Sequence, residues 1–92
     1  MENTTFISND FIDQHTNYPA LVQALHVAFA ANNTMVPPRH HHDFPNTDSG
    51  VDATLLLMPA WQDGQEAGVK IVAVSPDNGR YGLSAVQATY IL

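Results

Sequence analysis

The sequence predicts an α+β fold: a short strand and two helices, then a mostly antiparallel sheet of about four strands, with the helices packed on one face. Apolar residues recur at helical spacing, as Leu21, Leu25, Ala28 and Phe29, between Tyr18 and Ala31. Ala53 to Met58 and Gly68 to Val74 are apolar stretches of strand length on either side of a polar turn, so they read as consecutive buried strands. Ala85 to Leu92 is a further run of the same kind.

Taken in order, Thr4 to Ile7 is β-prone, and Ser8 stands where a helix cap belongs, ahead of Asn9, Asp10, Phe11 and Ile12. Asn17-Tyr18-Pro19 restarts the chain with a proline suited to a first helical turn. Asn32-Asn33 closes that helix by turn chemistry, and His26 falls beside its apolar stripe as a flank residue. Pro37-Pro38 cannot donate to a ladder, which makes this stretch an edge or the entry to a strand. If residues 39–43 are extended, Arg39, His41 and Asp43 share one face and His40 and His42 the other. Pro45 to Asp52 reads as a surface loop. The strand from Ala53 is expected to stop at Pro59, with the turn at Gln62 to Ala67. In the next strand Val69, Ile71 and Ala73 take one face, and Lys70, Val72 and Val74 the other. Pro76 to Gly82 is a loop rich in turn formers.

The chain has 92 residues, enough for one small domain spanning residues 1–92, but not for two separate cores. A net charge of −6 and a pI near 4.9 exclude the basic face that nucleic acid or an anionic membrane requires. There is no cysteine and hence no disulfide framework or thiolate chemistry. The start MENTTFISND lacks the basic and apolar regions of a leader, and the expected location is cytoplasmic. No apolar run approaches the roughly 20 residues of a membrane-spanning helix.

Lys70 is the anomaly on its strand. An ammonium on an apolar face either reaches past the rim or meets an anion, because an unpaired buried charge costs several kcal/mol on the order given by ion desolvation. Lys and Arg together number 3 against 9 Asp and Glu, and Arg39 and Lys70 both lie beside strand-like segments. The pair can clamp a carboxylate, the guanidinium forking onto two oxygens and the ammonium adding a second charge. The run His40-His41-His42-Asp43 carries donors for a transition metal, yet alternation leaves only two of its histidines on a face, a further ligand such as His15 would have to come from elsewhere, and no metal ligand set is assigned. No glycine-rich phosphate cradle is present, so no cofactor-binding residue is assigned.

Several stretches together resemble the N-terminal part of the ornithine cyclodeaminase and mu-crystallin family. They are Met35-Val36-Pro37-Pro38-Arg39, Leu57-Met58-Pro59-Ala60-Trp61, Ala67-Gly68-Val69-Lys70-Ile71-Val72 and Gly82-Leu83-Ser84-Ala85-Val86-Gln87-Ala88-Thr89. Their order and spacing match throughout, and the helix ending at Ala28-Phe29 fits as well. The resemblance implies NAD(P)-dependent chemistry on amino or cyclic imino acids, in proteins that pair a substrate and dimerisation domain with a Rossmann domain. It also implies that Arg39 and Lys70 hold the substrate carboxylate, that Lys70 has a catalytic place near the reacting carbon, and that Met58 lines the pocket.

The family's glycine-rich turn and its later acidic residue have no counterpart here, so NAD or NADP is implied for full-length relatives and none for this chain. Without a nicotinamide held against the substrate there is no hydride transfer, and the chain alone is not expected to be an active enzyme. The leading expectation is the substrate-binding and dimerisation portion of such a protein, catalytically incomplete by itself. The alternative is a stand-alone oligomerisation or small-ligand-binding module that has lost the chemistry. Ala85 to Leu92 reads as an apolar edge that ends abruptly, so a homodimer is the expected assembly and a small amino or imino acid the expected ligand.

Overall fold

Ser8 keeps an extended backbone and its hydroxyl oxygen accepts from the Phe11 N–H, satisfying one of the free donors of a first helical turn. In the computed structural model, which describes residues 3–92, this cap starts α1, Asn9–His15. The His15 ring stacks on Phe11 with centroids 4.0 Å apart, and its Nδ1–H donates to the Phe11 carbonyl at 2.8 Å, so side chains tie down this short helix. Asn17 caps α2, Tyr18–Ala31, by accepting from the Ala20 N–H at 2.9 Å, and Pro19 lies in the first turn, where its missing donor costs nothing. Asn32 ends α2 in the left-handed region at φ 52°. His26 is exposed, as a flank residue should be.

Thr4 to Ile7 does not form the expected strand, since these residues join no ladder with any described strand. Their composition suits a strand, but β structure needs a partner edge to supply its hydrogen bonds.

The chain divides into two units, one ending at Asn32 and the other running from Asn33 to Leu92. The second unit holds an open sheet ordered β1-β2-β3-β4, formed by β1 His40–Phe44, β2 Ala53–Trp61, β3 Ala67–Val74 and β4 Val86–Ile91, with every neighbouring pair antiparallel. Helices followed by an antiparallel sheet make the class α+β, as expected. A 3-10 helix, Pro76–Tyr81, fills the loop between β3 and β4, closed by Gly82 at φ 70°.

Pro59 does not end its strand. Trp61 exchanges both backbone hydrogen bonds with Met35, at 2.7 and 3.0 Å, so the backbone groups of Trp61 face away from β3. By alternation those of Pro59 do too, and its missing N–H costs no bond to its β3 partner Val69. On the other side the register runs into Pro37-Pro38, which also lack donors. The ladder therefore lapses where prolines meet, and resumes as the single bridge Met35↔Trp61.

The expectation that β2 and β3 are buried strands is corrected. Only Ala53, at 3% exposure, and Val72, at 6%, are buried among the described residues; β2 is otherwise mostly half-buried. Within its own unit the sheet has no second layer over either face, and one layer buries little beyond its centre. No helix among the described residues is long and apolar enough to cross a membrane.

Candidate functional site

The sheet register brings the sequence-selected residues near one another. Met58 lies directly opposite Lys70, and Lys70 opposite Tyr90. His40 pairs with Leu57, and Arg39 stands one residue before β1, so continuing that register by one residue would set it beside Met58. Directly opposed residues share a face. The row Met58, Lys70, Tyr90 therefore crosses the sheet on one side, and Arg39 adjoins it at the entry to β1. Two strand spacings of roughly 4.8 Å would put the Arg39 and Lys70 backbones roughly 10 Å apart, within the combined reach of their side chains.

The same face carries a hydrogen-bonded acid. Thr54 Oγ1 donates to Asp43 Oδ1 at 2.5 Å, and the His41 ring lies 3.0 Å from the same oxygen through Nε2. A carboxylate only accepts, so Nε2 carries the proton. The Thr54 hydroxyl first, and then the His41 ring, hold the Asp43 carboxyl below the usual aspartate range. With its charge engaged there, Asp43 pairs with neither cation of the row. Arg80 bonds Asp77 at 2.8 Å, whereas Arg39 and Lys70 make no ion pair among the described residues. Lys70 is exposed, so its ammonium reaches solvent from the strand.

The sequence reading set His41 and Asp43 on one face but missed Thr54 beside Asp43 and Tyr90 beside Lys70, because both depend on which strand lies beside which. Tyr90 is 59% exposed and its ring leans over Gly68, where a Cβ would come within 2.7 Å of the Tyr90 hydroxyl oxygen. Gly68 thus makes the notch the ring occupies next to Lys70. A separate open depression of about 480 Å³ is lined by Asn33, Met35, Gln62, Asp63 and Gln65. It includes no cation and none of the row, so we place the candidate site on the sheet face instead. Among the described residues no three metal-ligating side chains converge.

The sequence matches the ornithine cyclodeaminase/mu-crystallin family over residues 2–92. The chain belongs to that family. It is also 34% identical over 89 residues to an uncharacterized protein of Schizosaccharomyces pombe, covering 95% of this chain and 27% of the yeast protein. The chain thus spans about a quarter of the length of that relative. No solved structure matches. Among the described residues the sheet is wholly antiparallel, and no strand leads through a glycine-rich turn into a helix.

Proposed function

We propose that this chain is the substrate-binding and dimerisation portion of an ornithine cyclodeaminase-like protein, catalytically incomplete by itself. Arg39 and Lys70 clamp the carboxylate of a small amino or imino acid, Met58 forms the floor between them, and Lys70 stands near the reacting carbon once a cofactor-binding part is supplied. The observation that carries this reading is the register, which sets Lys70 opposite Met58 and brings Arg39 to the entry of the neighbouring strand, neither cation making an ion pair among the described residues. A guanidinium and an ammonium approaching from opposite sides suit a carboxylate, because the fork takes two oxygens and the point charge adds attraction without demanding geometry.

The isotopically labelled chain is titrated with ornithine, proline and alanine while its amide spectrum is followed. Shifts concentrated around residues 39 and 70 are expected, and Arg39→Ala and Lys70→Ala should each weaken binding by roughly ten-fold or more, the cost of losing a hydrogen bond to a charged group. A titration that both variants leave unchanged overturns the clamp, as does a wild-type chain that binds none of these ligands at millimolar concentration.

A further inference from the structure

On the face opposite the cation row, β1 presents His40 and His42. Their ring centroids lie 5.8 Å apart with planes inclined at 47°. A zinc-bound imidazole has its nitrogen about 2.0–2.1 Å from the ion, so its ring centre lies roughly 3.2 Å away and two rings on a tetrahedral ion have centres roughly 5.2 Å apart. The observed separation of 5.8 Å is close to that figure. Both rings are exposed, and neither has a hydrogen-bond partner among the described residues. His41, by contrast, points to the other face and is held by Asp43. Because β1 is an outer strand, no neighbouring strand crowds the pair on one flank. Its register partners on the other flank are Leu57 and Leu55, which offer no competing donor or acceptor.

We propose that His40 and His42 form a two-imidazole chelate for a divalent transition metal ion, with water filling its remaining positions. Imidazole suits Cu²⁺, Ni²⁺ and Zn²⁺, and Cu²⁺ binds most tightly by the general order of divalent affinities. Holding both rings on one rigid strand makes the second bond intramolecular, so the pair binds far more tightly than either histidine alone. This site is independent of the carboxylate clamp, which lies on the other face.

The test is calorimetric titration of the chain with Cu²⁺ and Zn²⁺ alone, alongside His40→Gln, His42→Gln and His41→Gln. Wild type and His41→Gln should bind one equivalent, while His40→Gln and His42→Gln should each lose affinity on the order of a hundred-fold, as when a chelate is cut to one ligand. Should a variant unfold by circular dichroism, proton spectra of the wild type with substoichiometric Cu²⁺ decide: the His40 and His42 ring signals should broaden first. An absence of binding at micromolar metal overturns the proposal. So does equal affinity in the His40 or His42 variants, loss of binding with His41→Gln, or first broadening at His15, His26 or His41.

Discussion

Asp43 shows how one residue's setting fixes its charge. The Thr54 hydroxyl and the His41 ring both favour its ionised form, so its folded-state affinity for a proton is lowered relative to the unfolded chain. For a carboxyl shifted down, the stabilising contribution is present above the unfolded value of about 3.9 and disappears as pH falls through the lower, folded value. We expect Asp43 to titrate below its ordinary range, and Thr54→Val to move it upward, as read from carboxyl carbon shifts. An Asp43 titration that Thr54→Val leaves in place would contradict the hydrogen-bond assignment. Gly68 offers a second residue-scale check, because a Cβ there would stand 2.7 Å from the Tyr90 hydroxyl. Gly68→Ala should push the exposed Tyr90 ring off the sheet at a small cost in stability, roughly the 1 kcal/mol common for surface aromatic contacts. Unaltered Tyr90 ring shifts in that variant would mean that the notch does not hold the ring.

At the scale of elements, the helix caps were readable because their chemistry is local. Ser8 and Asn17 accept the N–H groups of Phe11 and Ala20 in the same short segments that the sequence singles out, and Asn32 adopts the left-handed conformation that asparagine tolerates. The alternation of Lys70, Val72 and Val74 was readable for the same reason. What failed depended on neighbours. Pro59 looked like a strand end because a proline breaks a ladder, but whether it does depends on which side its nitrogen faces, and Met35 settles that from across the sheet. Thr4 to Ile7 had strand composition without a strand to join. Tyr90 and Thr54 belong beside Lys70 and Asp43 only through the register of β3 with β4 and of β1 with β2. Arg39 and Lys70, in turn, stood out through their rarity and through the family's motifs, and the register adds that Met58 lies opposite Lys70.

At the scale of the molecule, the sheet leaves β1 and β4 as its outer strands, and β4 carries exposed Val86, Tyr90 and Ile91 with no lysine or proline to blunt it. Burying one large apolar side chain is worth about 1.5–3 kcal/mol, so pairing such an edge across a two-fold axis would stabilise a dimer and close the contact. Light scattering over a concentration series should give a dimer mass, and Ile91→Lys should shift the chain towards monomer; a monomer mass persisting at tens of micromolar refutes the dimer. The chain spans 27% of its yeast relative, and under the proposed function this sheet would recognise substrate while any cofactor chemistry would belong to another part of the protein. That proposal seats a carboxylate over Met58 between Arg39 and Lys70. The direct measurement is a carbon–proton spectrum of the chain with labelled methionine methyls, recorded as proline is added. The account predicts that the Met58 methyl shifts saturably and shows contacts to the ligand's ring protons, while Met35 stays in place. A shift at Met35 with Met58 unmoved, or no shift at either, would contradict it.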